Sequence, residues 1–206
     1  VADVADVSNP ATSVYPSTKV TVDSPYQITR WRVLFQWVLY IPFSAVSGIL
    51  HYASIVAVPL HWLIVLITGK PNKRIYGFNA MVLRYEFRAV FFLYGFSEEY
   101  PPFAFSQGGA DDGAYSPIRL NLPEAPDAIS RVAVFNAILA IPHYILIMVY
   151  WIGAMLVLMI AWWVVLFTGK WPAGMRDFIV KLSSYYARVW AYTMMTTTEY
   201  PRFGLD

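Results

Sequence analysis

Residues 132–167 read VAVFNAILAIPHYILIMVYWIGAMLVLMIAWWVVLF, and residues 33–67 read VLFQWVLYIPFSAVSGILHYASIVAVPLHWLIVLI; neither stretch holds an Asp, Glu, Lys or Arg. Each is far longer than the roughly 18 apolar residues that mark a membrane-spanning candidate. As one straight helix at about 1.5 Å per residue, either would reach about 52 Å against an apolar bilayer core of about 30 Å. A crossing of that length needs a tilt of roughly 55°, beyond the ordinary range of about 0–40°. Each stretch is therefore expected to break. One possibility is a hairpin of two short helices, turning near Gly48–Ala53 and near Tyr150–Gly153. The other is a short interfacial helix ending before Ile41-Pro42 or Ile141-Pro142, followed by one long tilted helix of about 26 residues, since proline removes a backbone donor and bends a helix.

Basic residues favour the hairpin. It gathers Arg30, Arg32, Lys70, Lys73 and Arg74, and likewise Arg131, Lys170, Arg176 and Lys181, on one side with none at the tips. The positive-inside rule makes that side cytoplasmic. A single crossing would spread them over both faces.

Working outward, the 206 residues are 58% hydrophobic and only 14% charged, with a mean hydropathy of +0.48. An ordinary soluble domain carries about 25% charged residues, so the shortage points to a membrane rather than to a disordered tail or a soluble enzyme. A net charge of +2 is too small to suggest nucleic acid. With no cysteine, disulfides, thiolate metal sites and a Cys nucleophile are excluded.

Sliding the chain against itself by 100 residues reveals an internal repeat. Tyr15, Phe35, Leu39, Ile41-Pro42, Trp62, Val65-Leu66, Thr68-Gly69-Lys70, Phe78, Tyr85, Arg88, Glu99-Tyr100-Pro101 and Phe103 all recur one hundred positions later. That is 18 identities over 92 aligned positions without a gap. Apolar composition can align Leu with Leu, but not Thr-Gly-Lys, a lone Arg and Glu-Tyr-Pro in one register. The units span 15–106 and 115–206, after an N-terminal tail at 1–14 read as flexible and without a visible secretory signal. Between them, residues 107–114 read as a flexible polar linker in which Asp111-Asp112 is solvated.

Each unit opens with an alternating extended piece, Lys19–Val22 and Arg119–Leu122. The Thr-Gly-Lys that closes each apolar stretch suits a helix stop, with Gly in the left-handed conformation. A segment of helical length follows at about 75–96 and 174–196. Positions 77, 81, 84 and 88, with 177, 181, 184 and 188, share one face, which predicts an amphipathic interfacial helix with a cationic stripe. If 75–96 instead crossed the bilayer, Arg84, Glu86 and Arg88 would enter the apolar layer at about 2.5–3.5 kcal/mol per central charge. The expected fold is thus an all-α membrane protein of two tandem repeats, each a transmembrane hairpin plus an amphipathic helix, with short extended arms. Both termini are expected in the cytoplasm and the protein to be multi-pass.

These motifs carry a resemblance. Ile141-Pro142-His143, Thr168-Gly169-Lys170, Arg188, Ala191-Tyr192 and Tyr200-Pro201 resemble the bacterial membrane family named domain of unknown function 4389, often found as tandem units. The first unit matches less closely, with Phe43 after Ile-Pro and Phe91-Phe92 in place of Ala-Tyr. The resemblance implies a bacterial inner-membrane location and an architecture, with no activity attached.

Functional signals are sparse. His61 and His143 could be paired as haem ligands, but each lacks its counterpart in the other unit, so they are expected to be interhelical hydrogen-bonders. The glycines of a phosphate loop are missing ahead of Lys70 and Lys170. Lys70, Lys73, Arg74, Lys170, Arg176, Lys181 and Arg188 are candidates for lipid headgroups at about 1 kcal/mol each. Gly48, Gly153 and Ala154 are candidates for close helix packing. No catalytic residue, metal ligand or cofactor is expected. The expected function is a non-enzymatic accessory or scaffold subunit against a larger respiratory or transport complex, its partners being other membrane proteins and lipids. The alternatives are an anionic-lipid-binding or lipid-handling protein and a histidine-ligated cofactor protein.

Overall fold

The computed structural model describes residues 18–205, so the tail at 1–14 lies outside it. The chain is mostly helical. Strand β1 (Lys19–Val22) leads into helix α1 (Arg30–Thr68), and α2 (Lys73–Leu93) follows after a four-residue turn. The second unit repeats the order with β2 (Ile118–Asn121), a 3-10 turn (Arg131–Phe135), short α3 (Asn136–Leu139), α4 (Ile141–Thr168) and α5 (Ala173–Thr193).

The hairpins expected from sequence do not form. α1 is one uninterrupted helix of 39 residues with Pro42 and Pro59 inside it, and α4 runs unbroken for 28 residues past Tyr150–Gly153. A reversal at Gly48–Ala53 would strand about four carbonyls and four amides at the new helix ends, which an apolar setting penalises. The sequence offers no cap there, so continuing the helix is the cheaper solution. The second unit adopts the other break that its proline allowed: the chain kinks at Ala140 and restarts with Pro142 in the first turn of α4.

Gly69 and Gly169 end the long helices as the sequence implied. Both sit at φ 70°, and each N–H donates to the carbonyl four residues back, Val65 or Val165.

The two units interlock. β1 and β2 pair antiparallel with Val20 opposite Leu120. Ile28 N–H donates to Gly169 O, and Ile129 N–H donates to Gly69 O, so each unit's leading arm closes the other unit's helix stop. The start of α1 meets the end of α4, where Trp162 Nε1–H donates to the Val33 carbonyl at 3.3 Å. The end of α1 reaches the end of α5 through Trp62 Nε1–H and the Thr193 carbonyl at 3.1 Å.

Three layers result. α1 and α4 form the outer one, α2 and α5 cross beneath them with Tyr76 against Trp190 and Phe87 against Tyr186, and the ribbon and arms close the far side. α2 is therefore a core helix, buried along its whole middle from Asn79 to Tyr85, and not an interfacial one. Its cationic stripe turns to the far side, towards its own chain.

That stripe explains a second departure from expectation. The linker is held, not loose. Arg84 donates to the carbonyls of Ser106, Gly108, Gly109, Ala110 and Leu120, and its Nε lies 3.5 Å from Asp111. Arg88 bonds both Asp111 and Asp112. The Asp111 side chain is only 3% exposed, so it is a buried ion-pair partner. Separating two bound guanidinium groups from these carboxylates would leave uncompensated buried charge, at about 3–5 kcal/mol.

Candidate functional site

The outer face is built first from what α1 and α4 leave uncovered. Both Arg30–Thr68 and Arg131–Thr168 are long and apolar enough to cross a membrane, and only 11% and 17% of their most apolar windows are buried. A core helix of a soluble protein would be mostly covered. Ile49, Tyr52, Val56, Met155 and Phe167 are among the side chains left open, so the exposed patch is far larger than a soluble monomer ordinarily shows.

The repeated motifs each do a structural job beneath this face. In the second unit His143 stacks on Phe203 at 4.1 Å, lies 4.8 Å from Tyr200, and shares a 2.6 Å hydrogen bond between Nδ1 and the Tyr185 hydroxyl. In the first, Phe43 stacks on Phe103 and lies against Tyr100, both at 4.8 Å, with Tyr85 beside it. The Ile-Pro and Glu-Tyr-Pro motifs are thus two walls of one aromatic box. The Tyr85 hydroxyl, facing a phenyl instead of an imidazole, is buried with no hydrogen-bond partner.

A polar cluster breaks the repeat's symmetry. Between α1, α2 and α5 lies a cavity of about 280 Å³ whose lining includes His51, Ser54, Trp62, Asn79, Glu86 and Trp190. A second of about 260 Å³ adjoins it on the α4 side and shares Leu83, Glu86 and Tyr186. His51 Nδ1 lies 3.2 Å from Glu86 Oε1, with the His51 side chain 63% exposed. Asn79 is 3% exposed; its amide nitrogen donates to the Ile75 carbonyl, and its Oδ1 has no partner. Burial pushes the Glu86 carboxyl above its usual range, against the opposing hydrogen bond and charge of His51.

The sequence mentioned Glu86 only as a cost of a rejected topology. The missed signal was asymmetry within the repeat: His51, Ser54, Asn79 and Glu86 stand where the second unit has Trp151, Ala154, Ile179 and Tyr186.

The headgroup candidates are divided by the fold. Arg176 is corrected: it is buried, bonds Ser24 and the Pro25 carbonyl, and stacks over Tyr26 at 4.3 Å, so it holds an arm and faces no lipid. Arg188 bonds the Gly204 carbonyl, and Lys73 pairs with Asp127 at 2.6 Å. Lys70, Arg74, Lys170 and Lys181 are exposed. They are split between two ends, because Gly69 lies against Arg131 while Gly169 lies against Arg30.

Of the packing candidates, Ala154 is fully buried, Gly153 meets only Phe178 at 3.9 Å, and Gly48 faces open space. Gly48 is therefore no helix contact. His61, towards the end of α1, and His143, in the aromatic box, are both fully buried. Among the described residues no three His, Cys, Asp or Glu side chains converge on a metal position.

Compared with known proteins, the chain matches one family model twice, at residues 30–104 and 131–204; its description is domain of unknown function (DUF4389). No curated protein and no solved structure matches it.

Proposed function

The chain belongs to the DUF4389 family and carries that domain twice, and from this premise we propose that it is a non-enzymatic membrane subunit that packs against a larger membrane complex. The carrying observation is the outer layer: two long helices with only 11% and 17% of their most apolar windows buried. Such a face is stable in acyl chains or against another membrane protein, and unstable in water. Beneath it, Arg84, Arg88 and Arg176 fasten the arms and linker, which gives a stiff platform for docking.

The same layering supports a topology. The arms that close the helix stops and the basic residues at both ends of α1 belong to one polar side, which we place at the cytoplasmic face of a bacterial membrane together with both termini. α1 and α4 are then sunk into the bilayer from that face, with the middle of α1 in the acyl region. The cysteine-free chain makes this testable. Single cysteines at Lys73, Glu99 and Ala110, all exposed, should be labelled by an impermeant thiol reagent from the cytoplasmic side, and one at Gly48 from neither. Labelling of Lys73 and Glu99 from opposite sides overturns the topology.

Docking is tested separately. Photo-crosslinking residues placed at Ile49, Val56 and Met155 should trap an integral membrane protein in native membranes, and one at Lys181 should not. Crosslinks to lipid alone from all three positions overturn the scaffold reading while leaving the membrane reading intact. A second reading, attraction of anionic lipid, is supported by the exposed Lys70, Arg74, Lys170 and Lys181. Replacing these four with Gln should then lower the anionic lipid that co-purifies; unchanged lipid content excludes it.

A further inference from the structure

We propose that the cleft between α1, α2 and α5 binds a primary ammonium carried on an apolar chain, seated against Glu86, Asn79 and Ser54. Three observations carry it. The first is an orphaned acceptor: Asn79 Oδ1 is buried without a partner in the wall of the cavity, while its amide nitrogen is already used on Ile75. A buried acceptor left unmade costs about 1–3 kcal/mol, so it marks a place where a donor is missing.

The second is the Glu86 carboxylate in the same wall. The only hydrogen bond it accepts among the described residues reaches one oxygen from Nδ1 of His51, an exposed side chain. An ionised carboxylate has about four acceptor sites, so most of its capacity is open. The third is the lining itself. Trp62, Tyr186 and Trp190 surround these acceptors, and aromatic faces attract a cation by about 0.5–2 kcal/mol each. The polar set occurs only in the first unit, where the second holds Trp151, Ala154, Ile179 and Tyr186, so its cost is not a requirement of the fold.

These features define the chemistry. The acceptors Glu86, Asn79 Oδ1 and Ser54 Oγ on this lining equal in number the three N–H donors of a primary ammonium, whereas a quaternary ammonium would leave Asn79 unsatisfied. The adjoining cavity, lined by Phe87, Val90, Phe91 and Trp151, offers the apolar chain a path along α2. The inference rests on the membrane reading for how such a molecule arrives, because the cleft opens on the apolar face. Two sources share this chemistry: an ethanolamine phospholipid of the bilayer and a free long-chain amine.

The test uses the full chain in a non-ionic detergent. Dodecylammonium is titrated while Trp fluorescence is read, beside dodecanol and dodecyltrimethylammonium. Saturable one-to-one binding is expected, at least tenfold tighter for dodecylammonium than for the other two. Glu86→Gln should weaken it at least tenfold and Asn79→Leu several-fold, with melting temperatures showing that both variants fold, and Lys181→Gln should leave it unchanged. Equal binding of dodecanol, or undiminished binding by a folded Glu86→Gln protein, overturns the proposal, as does the absence of saturable binding. Native mass spectrometry of protein from cell membranes separates the sources. One retained ethanolamine lipid, lost in Glu86→Gln, assigns the site to lipid, and dodecylammonium binding without retained lipid assigns it to a free amine. Alkaline extraction of the membranes tests embedding by itself, so failure of the membrane reading is distinguishable from failure of the site.

Discussion

The same substitution, Tyr to Phe, should have opposite effects at the two equivalent positions Tyr85 and Tyr185. Both rings are buried in matching aromatic boxes, and burial pushes both phenols up to about 12, so each hydroxyl is neutral under ordinary conditions. Tyr85 faces Phe43 and its hydroxyl is bonded to nothing. Removing it relieves an unmade hydrogen bond at no loss of packing, a gain of about 1 kcal/mol. Tyr185 shares a 2.6 Å hydrogen bond with His143, whose other ring nitrogen is already unpartnered. Removing that hydroxyl leaves the whole imidazole buried and unpaired, at a cost of about 1–3 kcal/mol. For a chain of this size 1 kcal/mol moves the melting temperature by about 2–4 °C. Scanning fluorimetry in detergent should therefore show Tyr85→Phe melting about 2–4 °C higher and Tyr185→Phe about 2–12 °C lower. A fall for Tyr85→Phe, or no change for Tyr185→Phe, would refute the account of the boxes.

Acid should loosen the linker through Asp112. Burial raises its carboxyl, but hydrogen bonds from Arg88, Ser106 and the Ala114 N–H, with the Arg88 charge, outweigh that and hold it well below its ordinary 3.8. A depressed carboxyl contributes stability that is present above 3.8 and lost as pH falls through the folded value. Between pH 7 and pH 2.5 the wild type should lose more melting temperature than Asp112→Asn, and equal losses would count against the ion pair. Gly48→Ala, in open space within a helix, should stabilise by about 0.5–1 kcal/mol in the same melts, whereas a clash there would lower the midpoint. Gly109→Ala should destabilise by at least about 2 kcal/mol, because the new Cβ would lie 2.5 Å from Pro123 O and 2.6 Å from Leu122 O; a folded, unshifted variant would show that the linker yields there.

Legibility followed the range of the interaction. The Gly69 and Gly169 stops, the two short strands and the register of the repeat rest on local conformation or on identity between units, and these the sequence displays directly. The continuous α1 was not legible, because length against bilayer thickness argued for a break while the backbone's need for internal hydrogen bonds argued against one. The second term won. Arg84 and Arg88 read as a cationic interfacial stripe because a helical face does not state what lies opposite it. Here the opposite surface is a Gly-rich linker whose carbonyls are free to converge, and composition alone marked that same segment as flexible.

The repeat also separates what the fold requires from what it merely carries. Positions identical in the two units hold the shared frame: Gly69 and Gly169 end the long helices, Tyr100 with Phe103 and Tyr200 with Phe203 close the boxes, and Trp62 and Trp162 tie each long helix to the other unit. Where the units differ by polarity, a structural partner accounts for some differences. Arg84, opposite Ser184, is spent on the Leu120 carbonyl of β2 and on four carbonyls from Ser106 to Ala110, along the linker that only the first unit precedes. His51, Asn79 and Glu86 have no such account: one acceptor is orphaned, one carboxylate is half used, and one imidazole is exposed. Tryptophan, isoleucine and tyrosine fill the same three places one hundred residues later within the same fold. Replacing the first set by the second, as His51→Trp, Asn79→Ile and Glu86→Tyr together, should therefore leave the chain folded and melting no lower than the wild type, while removing dodecylammonium binding. A triple variant that fails to fold would show that the polar set belongs to the frame after all.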